Sequence, residues 1–358
     1  MPPPETAPPG GAARPGGTTR HRGIARPAGT SLRTALPRHL DGEARARLAA
    51  ELGPGGPVPA DWRDGPRDGD VLLVAPHEMG NGGLPPDLGT VLEAADWSWV
   101  HLTSAGADFV DLAGWPADRL LTRSWRCYAA PLAEYALGAM LTHQWRDGSP
   151  WDGREVAADA GLWGARVGVA GYGEVGRRVA QVAAALGASV LVLSRTPRPP
   201  SGSIAHTTSP AAVLDADHAV IALPLTPGTR GLFGPELLAA ARPGLHLVNI
   251  SRAQIVCQRT LARLCAEGRM HATLDVTDPE PLPPGHPLRR LPSVRLSPHV
   301  AWRSRRSDAA FTEDFAVLWR RLEEGGPPPA QAVAAGGDAR ARTAVRALGQ
   351  RGEACAYC

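Results

Sequence analysis

The stretch RVGVA, Arg166–Ala170, runs directly into Gly171-Tyr-Gly173-Glu174-Val175-Gly176, and this junction decides the fold. An apolar run without polar alternation reads as a strand buried on both faces. Residues 177–186 have helical composition. The three glycines between strand and helix have separate tasks. Gly171 permits the tight turn, Gly173 lets the backbone approach a pyrophosphate, and Gly176 lets helix and strand pack closely. The helix N-terminus offers free N–H groups and a positive dipole end to the phosphates. Alone, G-x-G-x-x-G is a weak signal in a chain with 41 glycines, but here a strand precedes it and a helix follows.

The same alternation extends outward. Residues 189–193, 218–223 and 245–250 are apolar runs separated by helical segments, and 70–76 and 97–103 are strand candidates upstream. Residues 131–143 open with Pro and keep helical spacing. This series predicts an α/β protein whose main unit is a doubly wound parallel-sheet (Rossmann) dinucleotide-binding domain. The strand after the glycines ends in Ser194-Arg195-Thr196-Pro197-Arg198. A carboxylate here would hold the ribose 2′-hydroxyl of NAD, and none is present. Arg195 can form charge-assisted bonds to a 2′-phosphate, with Ser194 and Thr196 donating hydroxyl bonds. The sequence favours NADP over NAD. The competing reading of Arg195 is a solvated loop residue.

Composition removes whole classes of chemistry. All 38 basic residues among the 358 are Arg, so no lysine Schiff base, pyridoxal phosphate anchor or Walker A lysine is available. A GC-rich genome accounts for the bias. A net charge of +3 without an aromatic-rich basic stripe predicts no nucleic-acid partner. No apolar run is long enough to cross a membrane, and the N-terminal MPPPETAPPGGAARPGG lacks the apolar core of a secretory signal. Five cysteines, an odd number, read as reduced thiols in a cytoplasmic setting. Cys355-Ala-Tyr-Cys358 has no second pair near it, and no metal site is expected. Residues 1–30 read as a disordered N-terminal segment, 325–338 as a linker, 340–348 as a short weak helix, and 326–358 together as a flexible tail.

Three segments in the second half place chemistry at strand ends, where open parallel sheets bind ligands. They are Asn249-Ile250-Ser251-Arg252, Leu274-Asp275-Val276 with Glu280-Pro281, and Ser297-Pro298-His299 with Trp302. Reduction of a 2-oxo acid needs a hydride at carbon and a proton at oxygen. Arg252 can grip the carboxylate or polarise the carbonyl. His299 as imidazolium can donate the proton. Glu280 would orient the ring and favour its charged form.

In their order and spacing these segments resemble the D-isomer-specific 2-hydroxyacid dehydrogenases over roughly residues 70–320. The resemblance is also carried by Ser104-Ala105-Gly106-Ala-Asp108, Pro131-Leu-Ala-Glu134-Tyr135 and Leu223-Pro224-Leu-Thr226-Pro-Gly-Thr229. It implies catalytic roles for Arg252, Glu280 and His299. It implies a cofactor lying along Gly171, Gly173, Glu174, Val175, Gly176, Ser194, Arg195, Thr196, Leu223, Pro224, Ile250 and Ser251, with Asp275 on the nicotinamide side. Ala105 and Gly106 would hold the substrate carboxylate. Trp302 would wall the pocket, or else serve only as a packing aromatic. The resemblance further implies a smaller, discontinuous flavodoxin-like substrate domain (31–122 with 303–325, ending in a docked helix at 311–324), a dinucleotide domain at 123–302, and a homodimer using the 131–143 helix. Three features depart from the family pattern: Ala253 replaces a Gly, Cys257 stands where an Asp is common, and no first strand is evident before Asp70. The expected function is NAD(P)-dependent reduction of a small 2-oxo acid to the D-2-hydroxy acid. Two alternatives are a dinucleotide-sensing binding protein with incidental catalysis and, more remotely, an S-adenosylmethionine-dependent methyltransferase.

Overall fold

Strand β6 (Arg166–Ala170) forms where the apolar run predicts, buried from Val167 to Ala170, and helix α2 (Glu174–Ala185) begins right after Gly173. The computed structural model describes residues 32–35, 46–48, 50, 52, 59–61, 71–74, 99–108, 110, 115, 120–124, 126–144, 161–323 and 332–334. The expected N-terminal segment, the 340–348 helix and the Cys355–Cys358 pair lie outside these residues.

Around β6 stand β7 (Ser189–Leu193), β8 (Ile204–Thr207), β9 (His218–Ile221), β10 (Leu245–Asn249), β11 (Met270–Leu274) and β12 (Val294–Leu296). Their order is β12-β11-β10-β9-β6-β7-β8, every pairing parallel. The chain leaves β6 toward β7 and β8, then returns to β9 on the other side. The crevice where the order reverses therefore lies between the loops after β6 and β9, the usual ligand position in such sheets. Helices cover both faces. α2 packs Val179, Ala180 and Ala183 against Val167, Val169, Val190 and Val192, beside Ala133, Ala136 and Met140 of α1 (Ala129–Gln144). On the opposite face, α3 (Pro235–Ala239) and α4 (Gln258–Ala266) bring Leu238, Leu261 and Leu264 onto Leu245, Leu247 and Leu274. Cys257 caps α4 without a side-chain bond to its backbone, and its thiol is buried.

A second sheet has the order β13-β5-β4-β3-β1-β2. It contains β1 (Leu32–Ala35), β2 (Pro59–Asp61), β3 (Val71–Val74), β4 (Trp99–Leu102), β5 (Leu120–Arg123) and an antiparallel β13 (Ala332–Ala334). This corrects two expectations. Two strands precede Asp70, and the stretch assigned to linker and tail supplies an edge strand. Strands of three or four residues carry too little periodicity to be read locally, and pairing defines them. Helix α5 (Ser307–Glu323) docks through Phe311, Phe315, Leu318 and Trp319 against Trp99 and Leu120, with Trp99 and Phe315 stacked at 5.4 Å.

The core contains unusual histidines. His101 lies between two hydroxyls, Nδ1 at 2.7 Å from Thr122 Oγ1 and Nε2 at 2.8 Å from Ser124 Oγ, and burial pulls its pKa down to about 3. At the other end of α1, His143 stacks on His246 at 4.0 Å, and His246 Nδ1 meets His218 Nδ1 at 3.1 Å. Burial, then the charges of His143, His218, His271 and Arg295, drives the His246 pKa well down. Both folded-state values lie below the unfolded one of about 6.5, so the unfolded chain binds more protons in acid. Their stabilising contribution is complete above about pH 6.5 and is lost as pH falls below it. Thermal unfolding from pH 7 to pH 4 should show a steadily falling Tm, and His246→Gln should flatten that fall. A Tm that holds to pH 4 would contradict the assignment.

Candidate active site

The glycine loop is built as its sequence requires. Gly171 has φ +106°, and a Cβ there would stand 2.6 Å from Ala222 O. A Cβ on Gly176 would stand 2.0 Å from Gly171 O, so α2 approaches the end of β6 this closely only because Gly176 lacks a side chain. Gly173 differs: nothing lies within 4 Å of where its Cβ would be. The protein itself has no packing need for glycine there. The open space faces the N-terminus of α2 and suits the pyrophosphate of a dinucleotide. Glu174 pairs with Arg177 at 2.9 Å, and Val175 packs on the core.

At the end of β7, Ser194 Oγ donates to Thr196 O at 2.8 Å, and the exposed Arg195 forms no ion pair with a described residue. Arg198 lies over the Tyr172 ring at 5.4 Å. Across the crevice, Ser251 Oγ donates to Leu223 O, tying the ends of β9 and β10 together. Buried Asn249 shapes the next turn: its Oδ1 accepts from Ser251 N at 3.1 Å and its Nδ2 donates to Arg252 O at 3.0 Å.

Arg252 reaches the other sheet. Its Nε donates to both Asp108 oxygens at 3.0 and 3.1 Å, its Nη2 lies 3.0 Å from Asp108 Oδ1, and its Nη1 donates to Ser251 O at 2.9 Å. A Cβ on Gly106 would stand 1.8 Å from Nη2, so this glycine lets the guanidinium lie against the 104–106 loop. Ser104 Oγ donates to Gly106 O at 2.7 Å, and Arg123 Nη1 donates to Ala105 O at 2.9 Å. Burial lowers the Arg123 pKa, the charge of Arg252 adds to this, and Asp108 opposes it. Arg123 and the role of Asp108 escaped the sequence reading. Asp108 stands in a quoted motif, whereas Arg123 is one arginine among many.

Glu280 and His299 meet, Oε1 to Nδ1, at 2.7 Å, both about a quarter exposed. They line a cavity of about 470 Å³ with Thr277, Arg289, Ser297 and Trp302. Trp302 Nε1 donates to His299 O at 3.0 Å, and its ring stands edge-on to Tyr128. The structure thus joins Arg252 to Gly106, and His299 to Glu280 and Trp302. It does not join the two groups: Arg252 bonds to Asp108 and Ser251, and neither it nor Ala105 and Gly106 lines the cavity. Asp275, expected beside the nicotinamide, is 2% exposed and turned into the His299 loop, accepting from Ser297 Oγ, Val300 N and Ala301 N.

The family model for the NAD-binding domain of D-isomer specific 2-hydroxyacid dehydrogenases matches residues 134–301. An uncharacterized protein of Streptomyces coelicolor is 33% identical over 242 residues, 64% of this chain and 85% of that one. Glyoxylate/hydroxypyruvate reductase A of Serratia proteamaculans is 38% identical over 139 residues, 38% of this chain and 44% of the reductase, so the match spans less than half of that enzyme. The crystal structure of a D-isomer specific 2-hydroxyacid dehydrogenase from Xanthobacter autotrophicus Py2, in complex with NADPH and MES, superposes with a TM-score of 0.69 at 26% identity, over 86% of this chain and 98% of that one. The chain belongs to the D-isomer specific 2-hydroxyacid dehydrogenase family. Members of this family are NAD(P)-dependent oxidoreductases that act on the CH–OH group of 2-hydroxy acids. Among the described residues no helix is long and apolar enough to cross a membrane.

Proposed function

We propose that the protein reduces a small 2-oxo acid to the D-2-hydroxy acid with NADPH, and that Arg252, Glu280 and His299 carry the reaction. The observation behind this reading is the 2.7 Å His299–Glu280 pair at the carboxyl edge of the parallel sheet, with Arg252 after β10, two strands from β12, on the same edge. A nicotinamide dinucleotide held in the glycine-loop crevice would supply the hydride for the carbonyl carbon. Glu280 accepts from Nδ1 and orients the ring, leaving Nε2 to deliver its proton to the carbonyl oxygen, so His299 ends neutral. Arg252, with the backbone at Ala105 and Gly106, grips the substrate carboxylate. That carboxylate takes over donors that Asp108 now engages. Gly171, Gly173, Gly176, Leu223, Pro224, Ile250 and Ser251 form the dinucleotide crevice, with Ser194, Arg195 and Thr196 at the 2′-phosphate. Residues 31–122 with 303–325, extended by Ala332–Ala334, form the substrate lobe, and 123–302 the dinucleotide lobe. The enzyme works in the cytoplasm as a homodimer through α1.

A panel of 2-oxo acids headed by glyoxylate and hydroxypyruvate, run with NADPH and with NADH, tests the reading. We expect turnover with NADPH, and Arg195→Ala should raise the KM for NADPH about 10–100-fold, the worth of charge-assisted bonds, leaving that for NADH unchanged. Absence of NADPH oxidation with every acid would return the dinucleotide-sensing alternative.

A further inference from the structure

We infer that Tyr135 is a positioning residue for the proton donor, its hydroxyl acting through Ser297 and Asp275 on the loop that carries His299. The inference rests on the reading of His299 given above. His299 has φ +53°, and it is the one described non-glycine residue in the left-handed region. Such backbone is strained for a residue with a side chain and persists only where its surroundings impose it. The surroundings here are one residue and its partners. The Asp275 carbonyl accepts from His299 N at 2.9 Å. The Asp275 carboxylate accepts from Val300 N at 2.8 Å and from Ala301 N at 2.9 Å, the two residues that follow. Main chain and side chain of Asp275 therefore grip three consecutive amides, and the rotation of its carboxylate sets the pitch of the loop.

Ser297 and Tyr135 fix that rotation. Ser297 Oγ lies 2.6 Å from Asp275 Oδ1 and 2.5 Å from Tyr135 Oη. A carboxylate can only accept, so Ser297 spends its single proton on Asp275, and Tyr135 must be the donor to Ser297. Burial, reinforced by the Asp275 charge and opposed by the Ser297 bond, raises the Tyr135 pKa, which keeps the phenol protonated and the direction constant. The chain Tyr135→Ser297→Asp275 thus runs from α1, on the face of the dinucleotide sheet, to the catalytic loop. Its hydrogen bonds among the described residues reach that loop through the amides of Val300 and Ala301. Its effect falls on where the ring stands when the proton moves, a displacement to which proton transfer is sensitive.

The test uses the full-length enzyme with NADPH and hydroxypyruvate in single turnovers. Tyr135→Phe, which deletes one oxygen, should slow NADPH oxidation about tenfold with both KM values within about twofold of wild type, the pattern of a contact felt only in the transition state. The solvent deuterium isotope effect should rise as proton transfer becomes more limiting. Ser297→Ala should match this loss, the double variant should add nothing to it, and Ser297→Thr should keep the rate. Unchanged single-turnover rate, additive losses, or a loss without a rise in isotope effect each overturns the inference. Should His299→Asn turn over like wild type, the proton-donor reading itself fails, which the Tyr135 variants alone would not reveal.

Discussion

His299→Asn is expected to slow the chemical step about 10³-fold while leaving NADPH binding unchanged, because a positioned general acid contributes roughly 10²–10⁴-fold. Asparagine is the informative replacement for two reasons. It is among the few residues that tolerate the left-handed backbone found at position 299, so the loop keeps its course. Its amide nitrogen falls near the place of the imidazole Nδ1, so it can still donate to Glu280 across the present 2.7 Å. What disappears is Nε2 and with it the proton. The loss therefore reports acid catalysis rather than collapse of the site. Single-turnover NADPH oxidation is the measurement, with cofactor affinity from fluorescence titration as the control. Retention of more than about a tenth of the wild-type rate would remove His299 from the chemistry.

The parts of this molecule that were legible in the sequence share one property: their cause is local. β6, the turn at Gly171 and the start of α2 follow from adjacent residues, and β6 and β7 occupy the residues that the apolar runs mark. Arg252, Glu280 and His299, the residues proposed for the reaction, are each marked by a short apolar run before them. What stayed hidden depends on partners far away in the chain. The Arg252–Asp108 pair links residues 144 apart and the Tyr135–Ser297 bond residues 162 apart, and neither leaves a periodic trace. β13 exists because Leu120–Arg123 offers an edge, and β8 because β7 does. The hydrogen bonds of Asp275 stayed hidden for the same reason. Its type fits a cofactor contact, but the amides of Val300 and Ala301 claim it once β11 and β12 lie side by side.

The pairing of Arg252 with Asp108 makes the second large effect specific. Arg252→Ala should cut kcat/KM for the 2-oxo acid about 10³-fold, since the substrate carboxylate loses two charge-assisted bonds of about 1.5–3 kcal/mol each. Part of that loss has another origin. With the guanidinium gone, the Asp108 carboxylate, whose side chain is 22% exposed, stands without that partner beside the place proposed for the substrate carboxylate. Like charges at such range repel, and partial burial limits the screening by solvent. Arg252→Ala combined with Asp108→Ala should therefore recover about tenfold over Arg252→Ala alone, a coupling that only neighbours sharing a site display. Arg252→Lys should recover less than arginine's full effect, because an ammonium cannot present one edge to Asp108 and another to the substrate. Equal kcat/KM in the single and double variants would show that Asp108 and the substrate never meet, and would place the carboxylate site elsewhere in the cleft.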